Sequence, residues 1–238
     1  MDYTAVITGG NKGIGADLAQ AMLQRGWQVV SLARHKGEAE GVEHVICDLS
    51  DPDAVSGTAA ELAARHQVTH FVHNAGIILP NLIEDATPQD MQVLTQLHLG
   101  AALTLTQAFL PAMKAQRFGR VLFNASRAAL GARTRTAYSA SKAGMIGMAR
   151  TWALELAEHG ITVNVVAPGP ILTDNFWGIV PKESPQQQDL AQRIPVGRLG
   201  TVADVTRAFM FLADPEAGFI TGQTLFVCGG ASIGTVPI

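Results

Sequence analysis

Thr4-Ala5-Val6-Ile7-Thr8-Gly9-Gly10-Asn11-Lys12-Gly13-Ile14-Gly15 is the stretch that decides how the rest of the chain is read. Thr4–Thr8 is a short run of β-forming, mostly apolar residues, which predicts a buried strand. Glycines follow at once, and a helical pattern then runs from Ala16 to Arg25. Strand, glycine turn and helix in that order predict a phosphate seat. Glycine allows the sharp turn and close backbone approach, and the unpaired N–H groups of the helix start attract a pyrophosphate. The turn therefore nominates Gly9, Asn11, Lys12, Gly13, Ile14 and Gly15 as dinucleotide-binding residues.

Gln28–Leu32 reads as the second strand, and its end is Ala33-Arg34-His35-Lys36, with no carboxylate before Glu38. An acid at this place would hold a ribose 2′-hydroxyl, whereas the cations Lys12 and Arg34 suit a 2′-phosphate. The expectation is NADP(H), with NAD(H) possible; the plain alternative is a pair of solvated surface charges. About ten residues separate Arg34 from the next strand, His44–Cys47, too few for a full crossover helix, so a loop crossing is expected. Asp48-Leu49 follows at the strand's carboxyl end, the edge where open α/β sheets bind ligands.

Farther along, Asp51–His66 is helical with Asp51 as cap and Pro52 in the first turn. His70–His73 is a fourth strand ending in Asn74-Ala75-Gly76, and its two histidines face opposite sides, against a shared metal. A long helix is expected from Thr87 to Arg117, bent near Pro111. Gly119–Asn124 is the fifth strand, with Ser126 just past its end. A helix from Ala137 to His159 precedes a sixth strand, Thr162–Ala167, which Pro168-Gly169-Pro170 stops. Residues 174–200 are irregular with one short helix, a lid or specificity segment by position. Thr201 caps a helix to about Ala213, and Gln223–Val227 is the last strand.

Composition narrows the class. Of 238 residues, 47% are hydrophobic, enough for one sizeable core, and β-like and helix-like runs alternate without a linker, so residues 1–238 read as a single α/β domain. Net charge is −3 with no basic block, which makes nucleic acid and anionic membrane poor partners. Neither a leader pattern nor an 18-residue apolar run is evident, and the two cysteines, Cys47 and Cys228, read as buried free thiols; a cytoplasmic protein is expected. Histidines lack metal-ligand spacing, so no metal is expected.

Tyr138-Ser139-Ala140-Ser141-Lys142 opens the second long helix and puts Tyr138 and Lys142 one turn apart on one face. Alone, a phenol near pKa 10 is a poor acid–base catalyst at neutral pH. An adjacent ammonium favours phenolate and draws the phenol toward working pH. In isolation such a spacing is ordinary helix surface; the surrounding motifs change its weight.

Taken together, the TGGNKGIG turn, Asp48, Asn74-Ala75-Gly76, Ser126, YSASK, Pro168–Thr173 and the ITGQTLFVCGG tail resemble the short-chain dehydrogenase/reductase family in its compact single-domain form, over nearly the whole chain. The resemblance implies a doubly wound parallel, Rossmann-type sheet of seven strands with helices on both faces. It implies that Tyr138 donates the proton to a substrate carbonyl, Lys142 lowers the Tyr138 pKa and holds the nicotinamide ribose, and Ser126 steadies the alkoxide. By the same resemblance Gly9, Gly13 and Gly15 cradle the pyrophosphate. Asp48 and Leu49 meet the adenine end, and Asn74, Ala75 and Gly76 lie along the cofactor. Pro168, Gly169, Ile171 and Thr173 meet the nicotinamide, and a homotetramer or homodimer forms through the two long helices.

Three departures stand out. His98 falls where the family usually has an asparagine that positions a relay water; histidine passes protons and titrates near neutrality, so a substitute relay is one reading and a packed core histidine the other. The Ser126–Tyr138 segment looks one residue short and holds Arg127, Arg133 and Arg135, which either attract an anionic substrate or sit as solvated loop charges. Cys228 replaces a frequent Asp, with no chemistry attached. The leading expectation is an NADPH-dependent reductase of a ketone or 3-oxoacyl-type carbonyl. The alternatives are a dehydrogenase of a cyclic or polyol alcohol and, remotely, a non-catalytic dinucleotide sensor.

Overall fold

The structure is a computed structural model that describes residues 2–178 and 180–233. Seven strands, β1 (Thr4–Thr8), β2 (Gln28–Ala33), β3 (Glu43–Ile46), β4 (His70–His73), β5 (Gly119–Asn124), β6 (Ile161–Pro168) and β7 (Thr224–Val227), form one parallel sheet in the order 3-2-1-4-5-6-7. The order reverses between β1 and β4, which opens a crevice at their carboxyl ends. Apolar residues run continuously along the strands because both faces are covered. Val6, Phe71 and Phe123 point to one core, while Ile7, Val72 and Leu122 point to the other.

On one face lie α1 (Gly13–Gln24) and, near the end of the chain, α8 (Val202–Ala213). The opposite face carries α2 (Pro52–Arg65), α4 (Ala101–Gln116) and α5 (Thr136–Leu156). The Asp51 side chain accepts from the N–H groups of Asp53 and Ala54 at 3.0 and 3.2 Å, the expected cap for α2. The connection from β2 to β3 contains no helix, again as expected from its length. These features establish the single, doubly wound α/β domain.

The long helix departs from expectation in an informative way. It runs from α3 (Pro88–Thr95) through a π-turn at Gln96–Gly100 into α4, so its irregularity is centred on His98 while Pro111 sits inside α4. At the turn the Ala101 N–H bonds to the Gln96 carbonyl, one residue farther back than in an α-helix. That shift takes the Leu97 carbonyl out of the regular ladder, and His73 Nε2 meets it at 3.1 Å. The span Pro88–Gln116 has 29 residues and a mean hydropathy of 1.2 over its most apolar window, so it is long and apolar enough to cross a bilayer by composition; no such run was read from the sequence. Here Leu105, Phe109 and Met113 are buried in the core of the domain. Residues 174–200 hold two short helices, α6 (Asp174–Trp177) and α7 (Pro185–Gln192), where one was expected. Ser184 starts α7 by accepting from the Gln187 N–H at 3.2 Å.

Candidate active site

The site begins where β1 ends. Gly9 and Gly13 sit at φ 65° and 54°, conformations that glycine reaches without a Cβ penalty. Lys12 precedes α1 and caps none of its first-turn N–H groups, so these face the cleft and suit an anion. Gly15 differs from expectation: a Cβ there would lie 2.1 Å from the Gly9 carbonyl oxygen and 2.6 Å from Asn74 Nδ2. It lets α1 pack onto the turn and, unlike Gly9, Asn11, Gly13 and Ile14, does not line the cleft.

The Thr8 hydroxyl is the joint of this region. It accepts from the backbone N–H groups of Asn74 and Ala75, both at 3.0 Å, and stands 3.1 Å from His73 Nδ1. Because His73 Nε2 faces a carbonyl, it carries the proton, Nδ1 is bare, and Thr8 donates to it. Burial, followed by the Lys142 charge, lowers His73 to about 3, consistent with a neutral ring. The Asn74 amide donates to the carbonyls of Thr8 and Gly9, both at 3.1 Å, and accepts from Asn124 Nδ2 at 2.8 Å. Its side chain thus braces the glycine turn, while the residue, with Ala75 and Gly76, lines the cleft.

At the far end of the cleft lie Lys12, Arg34, Asp48 and Leu49. Asp48 accepts from the Ser50 hydroxyl and N–H at 2.7 and 2.9 Å, and these bonds, with the Arg34 charge behind them, hold its carboxyl below the usual range. Neither Lys12 nor Arg34 forms an ion pair among the described residues. The opposite end brings together Ser126, Tyr138 and Lys142 on one wall, facing Pro168, Gly169, Ile171 and Thr173, with Phe176 of α6 beside them.

Ser126 Oγ accepts from the Ala128 N–H at 3.1 Å, and its own proton is turned toward the Tyr138 phenol. Lys142 Nζ donates to the Asn124 carbonyl at 2.7 Å and is 2% exposed. No carboxylate pairs with it among the described residues, and burial lowers its pKa to about 7. Burial pushes the Tyr138 phenol upward, opposed by its hydrogen bond with Ser126 and by the Arg135 charge. The expected downward pull by Lys142 is therefore not seen in this state. Lys142 Nζ lies 5.6 Å from the Tyr138 ring centroid, bonds to a carbonyl, and is itself lowered by burial to about 7.

His98 is fully buried, with Nδ1 2.8 Å from Ser141 Oγ. Ser141 donates to the Tyr138 carbonyl at 3.0 Å, so its oxygen receives the His98 Nδ1 proton and leaves Nε2 a bare acceptor. Nε2 has no partner among the described residues; it lies 3.0 Å, and Lys142 Nζ 3.4 Å, from the point a Gly76 Cβ would occupy. The nitrogen and the ammonium thus border the same small space beneath Gly76. Burial and the Lys142 charge hold His98 far below its ordinary pKa, which corrects the expectation that it titrates near neutrality. Asn124, Ser141, His73 and Thr8 escaped the sequence reading as site residues. The one available signal was position: Asn124 closes a strand at the ligand edge, and Ser141 sits within YSASK.

Burying Lys142 costs stability. The unfolded chain holds this proton to about pH 10.4, while the folded chain releases it near 7, so the cost is full below pH 7 and fades as pH rises toward 10. The shift corresponds to roughly 4–5 kcal/mol, offset by the Asn124 hydrogen bond at about 1–3 kcal/mol. Lys142→Met should raise the thermal midpoint at pH 7 by about 4–8 °C, with the gain shrinking at alkaline pH. Calorimetry from pH 6 to 10 checks both the sign and the trend.

Comparison with known proteins agrees with this architecture. A family model described as enoyl-(acyl carrier protein) reductase matches residues 9–232. Subunit BbsD of (2S)-((R)-hydroxy(phenyl)methyl)succinyl-CoA dehydrogenase from Thauera aromatica is 35% identical, covering 98% of both chains. The 3-oxoacyl-(acyl-carrier-protein) reductase FabG of Escherichia coli is 32% identical over 95% of this chain and 96% of its own. A structure from Beutenbergia cavernae, assigned as an NAD(P)-dependent gluconate 5-dehydrogenase with bound NADP, superposes with a TM-score of 0.91 at 33% identity, covering 98% of this chain and 97% of the other. Sheet order, glycine turn and relatives agree: the chain belongs to the short-chain dehydrogenase/reductase family of NAD(P)-dependent oxidoreductases.

Proposed function

We propose that the protein reduces a ketone of the 3-oxoacyl type to a secondary alcohol with NADPH, and runs in reverse as a dehydrogenase. The observation that carries this reading is the convergence of Ser126, Tyr138 and Lys142 on one wall of the cleft that begins at the glycine turn. The first turn of α1 with Gly9 and Gly13 would hold the pyrophosphate, Lys12 and Arg34 a 2′-phosphate, and Ile171 and Thr173 the nicotinamide end. When bound, NADPH supplies the hydride.

Ser126, which shares its proton with Tyr138 before substrate enters, donates to the substrate carbonyl oxygen and steadies negative charge as it grows. Tyr138 then gives its proton to the alkoxide. A phenol raised by burial keeps that proton until the alkoxide, a much stronger base, forms beside it. Phenolate so produced meets Ser126, the Arg135 charge and Lys142, whose ammonium form the new anion favours. His98 serves as a hydrogen-bond acceptor through bare Nε2 in the space it shares with Lys142, a part that needs no imidazolium. Oxidation uses the same groups with Tyr138 as base, which keeps the cyclic or polyol alcohol reading open in view of the gluconate dehydrogenase relative.

Tyr138→Phe should lose at least about 100-fold in kcat while binding NADPH normally, measured by nicotinamide absorbance and fluorescence. A dinucleotide sensor would keep its function with that substitution. In the same assay His98→Ala should cut turnover and leave NADPH affinity alone; an unchanged rate across pH sinks its role. Replacing Lys12 and Arg34 by alanine should weaken NADPH at least about tenfold more than NADH; equal losses mean that neither cation meets a 2′-phosphate.

The oligomer is proposed to be a homotetramer. Support comes from Leu103 on α4 and Leu154 on α5, 42% and 85% exposed, and from Phe211, Phe219 and Leu225, 54%, 104% and 40% exposed, near α8 and β7. Leu154→Lys combined with Leu103→Lys should yield a smaller species in sedimentation, and a wild-type monomer would refute the assembly. The free, buried Cys47 and Cys228 suit a reducing cytoplasm, which cell fractionation reads directly.

A further inference from the structure

We infer that the substrate carries a carboxylate a few bonds from its reacting carbonyl, and that the Arg135 guanidinium, oriented by Thr134, binds it. This deepens the reductase reading and rests on it.

The starting point is a strained residue. Thr134 has φ 65°, a left-handed conformation that is a steric outlier for a β-branched side chain and persists only where surroundings enforce it. The Asn81 N–H donates to the Thr134 carbonyl at 3.1 Å, and Asn81 pairs with Arg135 in an isolated β-bridge. Asn81 is itself anchored, its Nδ2 donating at 3.1 Å to Asp90 Oδ2 in the capping box of α3.

What the strain achieves is a fixed guanidinium. The Thr134 hydroxyl donates to the Arg133 carbonyl at 2.6 Å and accepts from Arg135 Nη1 at 2.7 Å, while the same nitrogen reaches the Thr134 carbonyl at 3.3 Å. One arm of the fork is tied down. Nε and Nη2 have no hydrogen-bond partner among the described residues, on a side chain that lines the cleft three residues before Tyr138. Arg135 directly precedes α5, so it stands about one helical turn before Tyr138 on the same cleft, and its charge favours the phenolate there.

Charge around the cleft points the same way. Arg127 and Arg133 line the same cleft as Arg135, and none of the three forms an ion pair among the described residues. On the surface, by contrast, Arg25, Arg65, Arg193 and Arg198 each pair with a carboxylate. Asp48, at the opposite end, is the one carboxylate among the described lining residues. A planar fork with free N–H groups binds a carboxylate through two parallel charge-assisted bonds. Its closeness to Tyr138 favours a small oxo acid over a carrier thioester, whose phosphate lies at the far end of a long arm.

The test compares the full-length enzyme with NADPH on straight-chain oxo acids, their methyl esters, and 3-oxoacyl thioesters of N-acetylcysteamine and phosphopantetheine. For at least one chain length kcat/KM should favour the acid over its ester by about tenfold or more. Arg135→Gln should bring that ratio to near parity, and NADPH binding shows that the variant is folded. Thr134→Gly should also lower the ratio, because the clamp is gone, while raising the thermal midpoint by removing strain. An equal use of acid and ester, an acid preference that survives Arg135→Gln, or the phosphopantetheine thioester as the preferred substrate overturns the inference while leaving the reductase reading intact. If no carbonyl is reduced, esters included, the reductase reading falls and takes the inference with it.

Discussion

The ammonium of Lys142, buried without a counter-ion among the described residues and held by a backbone carbonyl, is the constraint around which the site is arranged. A carboxylate partner would stabilise the charge and remove its use, because Lys142 would then remain protonated throughout. Bonding to the Asn124 carbonyl instead leaves the group close to balance near neutral pH. The cost falls on neighbouring residues, which must present lone pairs or stay neutral. His73 and His98 do so, with the Lys142 charge among the causes that keep both from taking a proton.

A continuous line of hydrogen bonds ties that arrangement to the sheet. Thr8, at the end of β1, orders the backbone of Asn74 and Ala75 and donates a hydrogen bond to His73, which holds the Leu97 carbonyl of the π-turn. The next residue is His98, seated against Ser141 of α5. Strand, turn and catalytic helix therefore share one register. The second line, from the α3 cap through Asn81 and Thr134 to Arg135, reaches the cleft from the other side. Both lines use buried or strained groups that gain little by themselves and matter through what they position.

Features set by local pattern were legible in the sequence. The apolar runs gave the strands, the glycine turn marked the crevice, Asp51 and Thr201 marked helix starts, and the spacing of Tyr138 and Lys142 anticipated that both line one cleft. Features set by long-range partners were not. A π-turn at Gln96–Gly100 depends on a histidine from another strand, so a reading of helix breakers pointed to Pro111. The packing role of Gly15 depends on how closely Gly9 returns to it. The rise of the Tyr138 phenol likewise depends on burial and on where Lys142 points, neither of which an i, i+4 spacing encodes.

The two borders of the sheet are built differently. β3 is short, with Glu43 bonded to Arg65 and His66, so charge guards that border against another chain. β7 carries Thr224, Leu225, Phe226 and Val227, with no charge at all. A border with no charge lacks the electrostatic bar that β3 presents, and two such borders meeting about a two-fold axis use each other up, which closes a pair rather than starting a fibre.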